Sequence, residues 1–149
     1  MSDAITVVSR RRFCAGACAA LVSACGGSSP TSPSAAASDL PVVSGQFATS
    51  RVQVTVAGSA LDTVGAAALV ESVAGVYLLA RTGATTFTAV DATCSHESCT
   101  ITGIDGTTYV CPCHGSRYNR SGQVLAGPAQ ASLRQFSTAF ADGVVTIAL

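Results

Sequence analysis

From about Gln46 onward, apolar and polar residues alternate in short runs separated by Gly, Asp and Thr, the pattern of strands joined by turns. Residues 51–57 (RVQVTVA) keep a period of two. Residues 67–71 and Gly75–Arg81 (GVYLLAR) predict a hairpin about Ser72-Val73-Ala74. A turn at 82–85 (TGAT) leads to a further strand at 87–90. Residues 107–110 (TTYV) follow a turn at Ile104-Asp105-Gly106. The last hairpin pairs 136–141 with Val144–Ala148 across Asp142-Gly143. The alanine-rich stretch 64–74 also permits a helix, but Gly65, Gly75 and the β-branched residues weigh against it. No internal repeat is visible. Residues 46–149 are therefore expected to form one all-β domain.

The start of the chain has a different character. SRRRF (9–13) precedes the apolar, small-residue stretch CAGACAALVSA (14–24), a charged start followed by a short apolar segment, as in a signal peptide. The Arg10-Arg11 pair before Phe13 resembles a twin-arginine export signal. Val22-Ser23-Ala24-Cys25 resembles a bacterial lipobox, which implies lipidation of Cys25. The following GGSSPTSPSAAAS (26–38) is rich in Gly, Ser and Pro and reads as a tether. Residues 1–24 are thus expected to be a signal and 25–45 a linker. Export to the periplasm or the outer face of the cytoplasmic membrane follows, with a lipid anchor at Cys25.

Composition adds little beyond this. The 149 residues include no Lys, and their formal net charge is zero. Nothing points to nucleic acid or an anionic membrane surface. No apolar run reaches the roughly 18 residues that would suggest a spanning helix. Seven cysteines are many for a cytosolic chain of this size and suggest metal ligation, an oxidising compartment, or both.

The chemistry is concentrated in two loops that follow predicted strands. One reads CSHESC (94–99) and the other CPCHGSRY (111–118), and they contain both histidines of the chain. Cys94, His96, Cys111 and His114 form C-x-H, fourteen residues, then C-x-x-H. Two thiolates and two imidazoles suit a closed tetrahedral zinc site. They equally suit an iron–sulfur cluster with two Cys on one iron and two His on the other. A third option has four cysteines in two disulfides and surface histidines. Cys99 and Cys113 are surplus to any four-ligand centre, and in an exported protein spare thiols tend to oxidise.

CSHESC and CPCHGSRY resemble the two cluster-binding loops of Rieske iron–sulfur proteins, C-T-H-x-G-C and C-P-C-H-G-S. GPAQASLRQF (127–136) is similar to the proline loop that covers the cluster in that family. The resemblance implies an antiparallel β-sandwich with a small cluster-binding subdomain of two loops, and a [2Fe–2S] cofactor. It implies that Cys94 and Cys111 bind one iron, that His96 and His114 bind the solvent-facing iron, and that Cys99 and Cys113 form a disulfide. It also implies that Ser116 and Tyr118 donate hydrogen bonds to cluster and cysteine sulfur, raising the potential. Gly115 would let backbone approach the cluster, and Pro128 would shape its cover. Imidazoles in place of two thiolates remove negative charge, which is why such centres lie at roughly −150 to +300 mV against about −400 mV for plant-type ferredoxins.

One departure stands out. Glu97-Ser98 occupies positions where quinol-oxidising Rieske proteins usually have Leu-Gly. A carboxylate beside His96 speaks against docking on an apolar quinol pocket. The expected function is one-electron transfer with redox partner proteins, as an exported, membrane-tethered carrier more than as an independent enzyme. The alternatives are a small subunit of a larger oxidoreductase (cytochrome bc-type or arsenite-oxidase-like) and a zinc-stabilised binding module.

Overall fold

The computed structural model describes residues 37–149. The expected signal (1–24), the lipobox cysteine Cys25 and the tether up to residue 36 lie outside the described residues. Within them the secondary structure is all β. Thirteen strands follow in order: β1 (Ser38–Asp39), β2 (Val42–Ser44), β3 (Gln46–Ala48), β4 (Arg51–Thr55), β5 (Ala67–Ser72), β6 (Gly75–Arg81), β7 (Phe87–Asp91), β8 (Gly103–Asp105), β9 (Thr108–Val110), β10 (Arg117–Tyr118), β11 (Val124–Ala126), β12 (Gln135–Ala141) and β13 (Val144–Ala148). An eight-stranded sheet runs β2-β5-β6-β7-β12-β13-β4-β3, and a five-stranded sheet runs β1-β8-β9-β10-β11. Every pairing is antiparallel except β2 with β5, which is parallel. Strands β1 and β2 fall within 25–45, the segment read from the sequence as linker.

Two kinds of strand pattern report two kinds of burial. In β4 (RVQVT) exposed and buried residues alternate strictly, because only one face meets the core. Strands β5 (AALVES) and β6 (GVYLLAR) contain uninterrupted buried runs. Their side chains pack in opposite directions. Ala68, Val70, Tyr77 and Leu79 join Val52, Val54, Val145 and Ile147 inside the large sheet. Leu69, Leu78, Ala80 and Val90 face the small sheet and pack with Tyr109, Tyr118 and Ile101. The β5–β7 layer is therefore shared by two cores. This explains why residues 64–74 lack strand alternation and also permit a helix; the structure forms β5 there, the first arm of the hairpin with β6 that the sequence predicts.

The two edges of the large sheet are joined through one residue. Gly45 links β2 at one edge to β3 at the other, and its N–H donates to the Glu71 carbonyl at 2.8 Å. A Cβ at this position would lie 2.5 Å from Val52 Cγ1 and 2.9 Å from Val70 Cγ1, both fully buried. Gly45→Ala should therefore destabilise the domain by about 1–3 kcal/mol, the usual range for overpacking. Urea denaturation would register this as a lower midpoint. An unchanged midpoint would mean that the edges separate freely.

Specific links tie the small sheet and the loops around it together and to the large sheet. The Arg120 guanidinium donates to the Ala66 and Gly65 carbonyls at 2.9 and 2.8 Å. Arg117 pairs with Asp105 across the small sheet. The turn between β8 and β9 falls at Gly106-Thr107, so Ile104 and Asp105 are strand residues and not the turn expected from the sequence.

Candidate metal centre

The two cysteine–histidine loops leave the sheets after β7 and β9 and close in the same way. In the first, Cys94 N donates to Cys99 O at 2.8 Å and Ser98 N donates to Cys94 O at 2.9 Å. In the second, Cys111 N donates to Ser116 O at 2.8 Å and Gly115 N donates to Cys111 O at 3.0 Å. The fourth residue after each leading cysteine is left-handed, Ser98 at φ 58° and Gly115 at φ 74°. Glycine takes this conformation at no steric cost, whereas a serine there is strained. Gly115 has open space where a Cβ would stand, so its conformation is what calls for glycine.

The six cysteine and histidine side chains separate by role. Cys99 and Cys113 form a disulfide across the two loops, with Cα atoms 6.5 Å apart. Cys94 and Cys111 are unbridged and buried in the core shared with the small sheet. His96 and His114 are exposed, with ring centroids 4.9 Å apart and planes at 88°. A buried thiol pair thus lies beneath an exposed imidazole pair, with the disulfide joining the loops. Glu97 reaches the imidazoles from outside, its carboxylate 4.0 Å from His96 Nε2 and 3.7 Å from His114 Nδ1.

Hydrogen bonds polarise the thiols. Burial pushes the Cys94 thiol up, but hydrogen bonds from the Tyr118 hydroxyl, the His96 backbone, Cys111 and Ser116 outweigh it and hold the group below its ordinary value. Burial pushes Cys111 up; backbone hydrogen bonds from Cys113 and His114 oppose this, and the neighbouring Cys94 adds to it. Tyr118 is also pushed up, by burial and by its hydrogen bond to Cys94, and so stays a protonated donor. Its oxygen lies 3.3 Å from Cys94 Sγ.

The loop at 127–133 covers the pair. The Gly127–Pro128 peptide is cis. Ser116, the buried polar residue of the site, accepts a hydrogen bond from Ala129 N at 3.0 Å and so fastens this cover to the second loop. Pro128 itself is exposed. The sequence reading passed over Ser95, whose Oγ lies 2.5 Å from the Ala131 carbonyl and 3.1 Å from the Tyr118 hydroxyl. Its place inside a C-x-H motif was the available signal, but serine in a loop is commonly only a turn residue.

Donor set and setting fit a cluster of two irons and two sulfides: two buried thiols for one metal and two imidazoles for the other, beneath the 127–133 cover. The family model for the Rieske [2Fe-2S] domain matches residues 35–137.

The chain belongs to the Rieske family.

A Rieske domain binds a [2Fe–2S] cluster, which takes up and releases one electron, so the chemistry of this domain is one-electron transfer. The zinc alternative falls with that cofactor. The Rieske chain is 40% identical over 50 residues to the cytochrome b6-f complex iron-sulfur subunit of Chlorobaculum thiosulfatiphilum, covering 33% of this chain and 28% of the relative. A subunit of the same description from Prochlorococcus marinus (strain NATL1A) is 35% identical over 88 residues, 56% of this chain and 49% of the relative. The matches span under half the length of these curated relatives. Among solved structures, the cyanobacterial plasma membrane Rieske protein PetC3 from Synechocystis PCC 6803 superposes with a TM-score of 0.50 at 26% identity, covering 56% of this chain and 86% of that one. The ferredoxin of carbazole 1,9a-dioxygenase from Nocardioides aromaticivorans IC177 shares the fold, with a TM-score of 0.51 at 20% identity.

Proposed function

We infer that this Rieske domain is an exported, membrane-tethered one-electron carrier. Cys94 and Cys111 hold the inner iron, and His96 and His114 hold the outer one. The observation that carries this assignment is the division of the loop cysteines: one pair is oxidised to a disulfide, the other is buried, unbridged and partnered by hydrogen-bond donors. The exposed imidazoles give redox partners an approach to the metal, while the sulfur side stays dry. Gly115 shapes the loop, Ser116 and Tyr118 supply the hydrogen bonds that favour the more negative reduced state, and Pro128 sits in the cover.

The partner is another redox protein, a cytochrome or an oxidoreductase subunit. Relatives described as cytochrome b6-f subunits favour the second reading, in which this chain serves as the small Rieske subunit of a larger complex. Glu97 beside both imidazoles favours a partner with positive charge at its docking face over an apolar quinol pocket. Export by the twin-arginine route and lipidation at Cys25 rest on the sequence. Palmitate labelling of the full chain should be lost in Cys25→Ala; equal labelling of both would sink the anchor.

The cluster assignment predicts coloured protein from iron-replete cells, with acid-labile sulfide and, after reduction, a [2Fe–2S] EPR signal. A colourless, EPR-silent protein with stoichiometric zinc would overturn it.

A further inference from the structure

The geometry points to Ser95 as a positioning residue that decides which atom receives the Tyr118 hydroxyl hydrogen, and through that choice sets the reduction potential; this rests on the cluster assignment above. The Tyr118 oxygen lies 3.3 Å from Cys94 Sγ, 3.1 Å from Ser95 Oγ and 3.3 Å from Ser95 N. Tyr118 and Cys94 are buried, so their contact is shielded from water, whereas Ser95 reaches them from the exposed side.

Donor accounting gives the directions. The Ala131 carbonyl only accepts, so the single hydroxyl hydrogen of Ser95 is committed to it. The Ser95 N–H donates to the phenol oxygen. The one hydrogen of Tyr118 then has two acceptors, Ser95 Oγ and Cys94 Sγ. The serine oxygen is nearer. A Cys94 thiolate bound to iron would share its charge with the metal and carry more of it after reduction. Reduction would then shift the preference toward Sγ, since hydrogen bonds strengthen with the charge on the acceptor, to about twice the neutral strength at an ionised one. The hydrogen stays covalently on the phenol oxygen in both arrangements; only its acceptor changes.

Ser95 therefore competes with the cysteine sulfur for a donor that stabilises added negative charge. The competition is strongest in the oxidised state and weakest in the reduced one. Its effect is to hold the potential below the value that Tyr118 alone would give. The same hydroxyl pins the cover loop through Ala131, so the cover and the tuning bond are linked in one chain: Ala131 O, Ser95 Oγ, Tyr118 Oη, Cys94 Sγ.

Redox titration of the full chain, followed by EPR, distinguishes the possibilities. Ser95→Ala should raise the midpoint. At the wild-type midpoint the reduced-to-oxidised ratio should increase roughly two- to tenfold, the span of one hydrogen bond. Ser95→Thr keeps the hydroxyl and should titrate as wild type. Tyr118→Phe should lower the midpoint, and adding Ser95→Ala to Tyr118→Phe should move it no further. An Ser95→Ala midpoint that is unchanged or lower overturns the proposal. An equal shift in the Tyr118→Phe background overturns it too, by routing the effect through the cover loop, and an Ser95→Ala chain unable to hold the cluster makes Ser95 an anchor only. A wild-type protein without a [2Fe–2S] signal sinks the cluster assignment instead.

Discussion

His114→Ala should yield a folded protein that has lost its colour. The His114 side chain is 47% exposed and contributes nothing to either core, so its removal leaves the apolar packing intact. The loop backbone is still held by the Cys111 N to Ser116 O bond and by the Cys99–Cys113 disulfide. What disappears is one of two neutral donors to the outer iron. Even loss of a supporting partner around a metal commonly reduces affinity 10- to 100-fold, so loss of a ligand should bring iron below about a tenth of the wild-type content. Far-ultraviolet circular dichroism should remain that of an all-β domain, while visible absorption and the EPR signal vanish. Retention of an unaltered [2Fe–2S] spectrum in His114→Ala would remove this residue from the ligand set and with it the proposed arrangement.

Breaking the bridge between the loops should cost about 3 kcal/mol. The disulfide joins residues 14 positions apart, and closing a loop of about this length restricts the unfolded chain by roughly that amount. Against the roughly 5–15 kcal/mol of a typical domain this is a large share. A Cys99→Ala/Cys113→Ala double variant should lose its chromophore at a clearly lower urea concentration than wild type. Reducing agent should shift the wild type toward the variant and leave the variant where it was. Coincident urea curves for wild type and variant would show that the two loops are held together without the bridge. Within each loop the closing hydrogen bonds are local; besides the bridge, the loops meet through single side chains, Tyr118 at Cys94 and Ser95 and Glu97 at His114, and the links to the 127–133 cover run through Ser95 and Ser116.

The strands β4, β6, β7, β9, β12 and β13 were legible because each follows a local rule, alternation or a β-branched run bounded by turn residues. The strands β1, β2, β3, β10 and β11 were not read. Each has two or three residues, too few to show a period, and exists because a neighbouring edge supplies its hydrogen bonds. The parallel pairing of β2 with β5 is of the same kind, since the register of Val42 with Leu69 is a contact between distant parts of the chain.

Within the site, the sequence by itself determined the donor types and their spacing: two cysteine–histidine loops, a surplus cysteine in each, and a Gly-Ser-x-Tyr run after the second. These are matters of covalent order, and chemistry limits what such a set can bind. Only the tertiary structure decided which thiols are bridged and which are buried, that Tyr118 reaches back 24 positions to Cys94, that Ser116 fastens the cover at Ala129, and that Ser95 stands between the phenol and Ala131. Those contacts depend on the small sheet docking against the β5–β7 layer, and no local pattern encodes the distance between loops that only a shared core brings together.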